Sequence, residues 1–372
     1  MHCTCPGYSF VRNGLITLAV CLGAASVELS VYRPNCWPSF AHLLCFLGLL
    51  LLLGSLRIGC TTQYCTCLGG TLVALWISLV HLRDVVETAE RARQLGFTDL
   101  TQIRALLPSI VPGIVPGESL IYLILLLPCP MALSFWPGSR KYWRLLALLA
   151  VSVIFLAVLS TFERASVVAC LIFVAVGSSL AVAVQRDGLW RIGRWFAPPA
   201  LALGILACAH NESLLSLLQI NATTSQARST SGRLHILHVA KCMIETYPLV
   251  GTGPGSFPLA YGRFDDRRDK FLHASRAYNL PVEVAAEYGV PFAASMFILI
   301  AIIMMHGYQR LRTQTLSTCR IPLNICLTAG VCSAISRDMF YSSIFSSYET
   351  SLMFGIMLAA IASDDTRGGA VR

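Results

Sequence analysis

Charge is what this chain has least of. Only 13% of its 372 residues are Asp, Glu, Lys or Arg, against about 25% in ordinary soluble domains. With 55% hydrophobic residues and a mean hydropathy of +0.66, that scarcity excludes a soluble globular fold and points to an integral membrane protein. Other absences narrow the chemistry. No Gly-Lys-Ser/Thr follows the glycine run at 251–255, so there is no Walker phosphate loop. No Asp-x-Asp stands in the charged loop around residue 265, so a metal-dependent enzyme using nucleotide sugars has no support. No Lys/Arg tract interleaves with aromatics, which argues against a nucleic-acid reader despite the formal charge of +9. Cys3/Cys5 and Cys65/Cys67 are C-x-C pairs without a second pair at zinc spacing. The fifteen cysteines are read as small apolar residues rather than as disulfide or metal ligands. Internal repeats and low-complexity tracts are absent as well.

What is present is a series of apolar runs. A helix needs roughly 20 apolar residues to cross a bilayer. Ten runs approach that length, near 12–31, 39–57, 64–82, 117–137, 142–161, 164–184, 195–212, 286–306, 320–337 and 344–363. The first is read as a retained signal anchor, and the seventh as kinked at Pro198-Pro199. The expected fold is therefore an all-α polytopic bundle of about ten transmembrane helices, a single membrane domain over 1–372 with one long extracytoplasmic loop at 209–279. Arg140, Lys141 and Arg144, then Arg186, Arg191 and Arg194, then Arg310, Arg312 and Arg320 alternate onto one side. The positive-inside rule makes that side cytoplasmic and puts both termini there. On the opposite side, 83–116 balances its charges. Val85 to Leu107 within it reads as an amphipathic interfacial helix or a solvated lid.

The loop at 209–279 carries eight Lys/Arg against five acids, a surplus of positive charge suited to an anionic partner. Arg164, at the edge of a span after a short turn, reads either as a snorkelling anchor or as a phosphate-gripping guanidinium. Arg233 begins an expected helix capped by Ser231 and ended at Tyr247-Pro248. It is a surface arginine or a second phosphate clamp. His235, His238 and Cys242 share a stripe of that helix; spacing alone makes a weak zinc signal. Gly251-Thr252-Gly253-Pro254-Gly255 is a turn, either an anion nest or tight helix-to-loop packing. His273, flanked by Lys270 and Arg276, reads as an exposed loop histidine or as a general base kept neutral by its cationic neighbours. Asp265 to Lys270 reads as a solvated charge run.

In order and spacing these pieces resemble the O-antigen ligase/polymerase family of bacterial inner-membrane proteins. The matching elements are Arg164 after a Thr/Ser-containing turn, Gly232-Arg233, and Pro248-Leu249-Val250-Gly251-Thr252-Gly253-Pro254-Gly255-Ser256-Phe257. Last comes Tyr278-Asn279, followed after nine residues by Gly289-Val290-Pro291-Phe292. Residues 145–295 carry the likeness. The chain departs from the pattern at three places: Tyr278 stands where the family has His, Phe292 where it has a second Gly, and Glu163 where it has Ser. The resemblance implies a glycosyltransferase of the inner membrane that needs neither metal nor cofactor. It would move a saccharide from a polyprenyl diphosphate donor to a hydroxyl of a glycan, lipid or protein on the periplasmic face, as in lipopolysaccharide or exopolysaccharide assembly. It further implies Arg164 and Arg233 on the diphosphate and a base, here assigned to His273. Arg276, Tyr278, Asn279, Glu283 and Glu287 fall to substrate binding. A polymerase of the same family, a flippase for lipid-linked sugars and an inactive scaffold stand as alternatives.

Overall fold

The computed structural model describes residues 6–55, 59–94, 116–160, 163–184, 193, 195–202, 224–265, 274–313, 320–340, 344 and 348–363. Among them every regular element is a helix, as expected for an all-α membrane protein. In chain order these are α1 (Pro6–Leu29), α2 (Arg33–Ser55), α3 (Cys60–Gln94), α4 (Pro116–Leu126), α5 (Pro128–Phe135), α6 (Lys141–Ser160) and α7 (Arg164–Val184). There follow α8 (Thr224–Thr246), α9 (Phe257–Phe264), α10 (Leu280–Tyr288), α11 (Val290–Arg312), α12 (Arg320–Asp338) and α13 (Tyr348–Ala362). Six helices among the described residues are long and apolar enough to cross a membrane, those within α1, α2, α3, α6, α7 and α11. At 1.5 Å per residue, the 22 residues Tyr8–Leu29 reach about 33 Å, matching a hydrocarbon core of roughly 30 Å.

Three of the ten expected runs differ from that pattern, and a fourth lies partly outside the described residues. The run at 117–137 is broken at Leu127 because Pro128 has no N–H to continue the ladder, which leaves the short helices α4 and α5. The helix over the run at 344–363 is a shorter apolar one, within Tyr348–Ala362. The run at 320–337 is helical as α12 but holds Arg320, Asn324, Arg337 and Asp338. Of the run at 195–212 only the helical stretch 195–202 is described. The amphipathic segment expected from Val85 is no separate helix up to Gln94: α3 continues through it, with Arg83 pairing to Glu87 one turn on. Cys60, at the start of α3, is disulfide-bonded, contrary to the reading of the cysteines as apolar packing. The other described cysteines are free thiols.

The chain folds into two compact units that interleave along the sequence: Met1–Arg57, Ala222–Gln309 and Arg337–Arg372 in one, Ile58–Asn221 and Arg310–Ser336 in the other. In the first, α2 packs along α13, with Phe46 and Phe354 stacked, and α1 reaches both α2 and α10. A separate apolar core joins α8, α9 and α10 through Ile236, Met243, Phe257, Tyr261 and Ala286. In the second unit α3, α5 and α6 pack together, and Ser333 of α12 donates to the Ala169 carbonyl of α7. Trp195 is 1% exposed and wedged between Phe135 and Phe173, ring centroids 5.6 and 5.5 Å away. Removing so large a buried ring leaves a cavity that its neighbours fill only in part. Trp195→Ala is expected to cost about 3–5 kcal/mol and Trp195→Phe markedly less, read from thermal unfolding in detergent.

Candidate functional site

The glycine-rich turn, α8 and α10 meet within the first unit, and the hydrogen bonds show why the sequence between 247 and 292 is so punctuated. Gly251 N–H donates to the Tyr247 carbonyl, Thr252 N–H to Ala286, Gly253 N–H to Glu287, and Val290 N–H back to Pro248. The two backbone segments thus lie against one another. Gly251 and Gly289 both have positive φ, 66° and 89°. A Cβ on Gly251 would stand 2.3 Å from the Glu287 carbonyl, and one on Gly289 2.3 Å from that of Leu249. Only glycine satisfies both the left-handed backbone and the contact.

The amides of this turn do bind an anion, but it is the protein's own. Glu287, on α10, accepts from Gly255 N–H at 2.9 Å through Oε2 and from Phe257 N–H at 3.0 Å through Oε1. Of the two readings of residues 251–255, an external anion nest and tight helix-to-loop packing, the structure takes the second. Ser26 of α1 donates to the Glu287 carbonyl and Ser30 to that of Thr252, so the end of α1 is tied to the same turn. Phe292, at the position of the expected second glycine, stacks on Tyr288 at 4.4 Å beneath this junction.

Asn279 caps α10: its Oδ1 accepts from Val282 N–H at 3.2 Å, with Pro281 in the first turn. Its Nδ2 donates to the Met339 carbonyl, which ties the cap to the turn after α12. One turn further along α10, Glu283 Oε2 accepts from Ala277 N–H at 2.7 Å. Between these two anchors lies Tyr278, the only non-glycine residue with positive φ among the described residues, at 54°. Such a conformation costs a residue with a Cβ roughly 1–2 kcal/mol, and here the bonds on either side hold it. The Arg233 guanidinium sits over the Tyr278 ring, 5.4 Å from its centroid. Arg276, half-buried, lies close enough to Glu283 to favour its ionised form.

Arg233, Arg276, Tyr278, Asn279, Glu283 and Glu287 therefore come together in one unit. Arg164 begins α7 in the other unit, and its side chain lies outside the described residues, as does the whole of His273. The neighbouring Glu163 is buried; it takes a hydrogen bond from Ser166 at the start of α7. Three local expectations change. α8 begins at Thr224, so Ser231 is an exposed residue inside the helix and not its cap. The histidine stripe divides: His235 is buried with Nε2 2.8 Å from Asp265 Oδ1, while His238 is exposed on the side of Cys242. Asp265 is accordingly no solvated charge; its side chain is 6% exposed.

Sequence reasoning also passed over Arg337 and Asp338, which are fully buried with Nη1 and Oδ1 3.6 Å apart. Asp338 Oδ2 further accepts from Ile344 N–H. Two adjacent ionisable residues closing an apolar run were the available signal.

Burial pushes the Glu283 carboxyl well up from the usual range, with Glu287 and Asp338 adding to it; the Ala277 N–H and Arg276 oppose the shift. Burial likewise carries Glu287 up to about 7, against the pull of the Phe257 and Gly255 amides. Compared with protein-family models and with curated proteins, the chain matches none of them.

A pH dependence follows for the turn. Glu287 binds its proton more tightly in the folded state than at the ordinary 4.5. Its contribution to stability is therefore full below that value and is lost as pH rises through about 7. Glu287→Gln should remove this slope from thermal unfolding measured in detergent between about pH 4 and pH 8. It should also lower stability by about 1–3 kcal/mol, because an amide NH₂ cannot accept from one of the two backbone donors.

Proposed function

We propose that this chain transfers a saccharide from a polyprenyl diphosphate to an acceptor hydroxyl on the extracytoplasmic face of a bacterial inner membrane, in the manner of an O-antigen ligase. The observation that carries the reading is Arg233. Its guanidinium is held against the ring of a backbone-constrained Tyr278, with Arg276 half-buried nearby and the capped, acid-bearing α10 alongside. A planar guanidinium fixed in this way offers paired donors to phosphate oxygens. In the same position it stabilises the negative charge that grows on the diphosphate as the glycosidic bond breaks. The acceptor hydroxyl attacks the anomeric carbon and gives up its proton to a base on the same side; the family's histidine position is Tyr278 here, and His273, the substitute read from the sequence, lies outside the described residues.

In this reading the chain spans the bilayer ten times with both termini cytoplasmic. The six long apolar helices are joined by α4–α5, the segment beginning at Trp195, α12 and α13. The segment 209–279 then faces outward, with α8 and α9 within it. A ligase acting on lipid A core, a polymerase acting on a second glycan and a transferase acting on a protein hydroxyl share this chemistry and differ in the acceptor they admit.

The test is transfer in proteoliposomes from a synthetic polyprenyl-diphosphate-linked glycan, with product sized on gels. Arg233→Ala is expected to reduce transfer by about 10²–10³-fold, and Arg233→Lys by less. Full transfer by Arg233→Ala would remove the clamp. Movement of intact donor between leaflets without transfer by the wild type would favour a carrier.

A further inference from the structure

The proposed reaction needs a proton acceptor, and the position where the family places histidine is a tyrosine. Tyr278 uses its ring face on Arg233, and a neutral phenol is a poor proton acceptor. The carboxylates around it differ sharply in what they are free to do. Glu287 has both oxygens on backbone N–H groups. Asp338 is fully buried between Arg337 and Ile344 N–H. Asp265 is paired with His235, its Oδ1 2.8 Å from Nε2. Glu283 is half-buried and, among these carboxylates, is fixed at one oxygen by a backbone N–H with no charged partner in hydrogen-bond contact among the described residues. Its Oε2 takes the N–H of Ala277, the residue before Tyr278. Its Oε1 accepts no hydrogen bond from the described residues.

We propose that Glu283 is the proton acceptor of this site, taking the part that the family gives to histidine. The inference rests on the glycosyl-transfer reading above. In the step, the acceptor oxygen forms its bond to the anomeric carbon, and the bond from that carbon to the diphosphate oxygen breaks. The electron pair leaves on the diphosphate, toward Arg233, and the hydroxyl proton passes to Glu283 Oε1. The Ala277 N–H orients the carboxylate throughout. Among the described residues, Glu287 from one turn along α10, Asp338 from the end of α12, and Arg276 from the segment before Tyr278 are the charged groups that face it. Burial and the two acids strengthen its hold on a proton, while Arg276 weakens it. The group therefore titrates above the ordinary carboxylate range and is a stronger base than a solvated glutamate.

The experiment measures the pH profile of kcat in proteoliposomes. The donor is a synthetic polyprenyl-diphosphate-linked disaccharide, and purified lipid A core, excess donor and a hydroxyl-bearing peptide serve as alternative acceptors. In the wild type, kcat should rise with pH along a limb above the usual carboxylate values. Glu283→Gln should lose about 10²–10⁴-fold in kcat, lose that limb, and keep donor KM; Glu283→Asp should recover part of the rate. Arg276→Gln should move the limb to higher pH, and Arg276→Lys should restore it. This arm decides the matter should Glu283→Gln fold poorly. Retention of the limb in Glu283→Gln, its disappearance in His273→Ala, or an unmoved limb in Arg276→Gln overturns the assignment. Loss of the clamp is separable: transfer insensitive to Arg233→Ala, with the Glu283 limb intact, removes the clamp and leaves the base. A wild-type protein that transfers to none of the acceptors sinks both.

Discussion

One buried carboxylate organises the polar part of the first unit. Glu287 draws the amides of Gly255 and Phe257 onto α10. The backbones of 248–253 and 286–290 can then close on each other. A buried carboxylate is costly unless its oxygens are satisfied, and a turn of successive amides costs equally if left without acceptors. Each supplies what the other lacks. The glycines at 251 and 289 are the steric condition for this exchange, and the hydroxyls of Ser26 and Ser30 extend it to α1, a helix that can cross the membrane.

The candidate site depends on that junction because α10 carries it. Once α10 is fixed by Glu287 at one end and by the Asn279 cap at the other, Glu283 and the Ala277–Asn279 segment have little freedom. Tyr278 is left in a backbone conformation it would not adopt alone, with its ring against Arg233. Strain of this kind persists only where the surroundings over-determine it, and such places are often functional. The structural carboxylate and the one assigned to chemistry sit one helical turn apart, and hydrogen bonding separates them. Glu287 is fully engaged, whereas Glu283 is engaged at a single oxygen.

How much of this was legible in the sequence depends on whether the signal was local. Apolar length sufficed for α1, α2, α3, α6, α7 and α11, because bilayer thickness sets the length of a spanning helix. The stop at Tyr247-Pro248 was likewise within reach of neighbouring residues. The start of α8 was misread because Ser231 looks like a cap. Yet Thr224 to Thr230 continue the helix upstream, and capping residues are tolerated inside helices when their side chains face outward. Asp265 was read as solvated because its partner, His235, lies thirty residues away. The occupant of the glycine turn was hidden for the same reason: Gly255 and Glu287 are 32 positions apart. Spacing showed that amides would be presented; only the fold shows what they hold.

Amide hydrogen exchange of the 251–257 segment tests the central claim most directly, comparing the wild type with Glu287→Ala in the same detergent. If the carboxylate holds the turn, the Gly255 and Phe257 amides exchange slowly in the wild type. They should accelerate by at least about tenfold in the variant, the equivalent of about 1.4 kcal/mol of lost protection, while α11 stays protected. Equal exchange of those two amides in both proteins would contradict the account, since the turn would then be held by something other than Glu287.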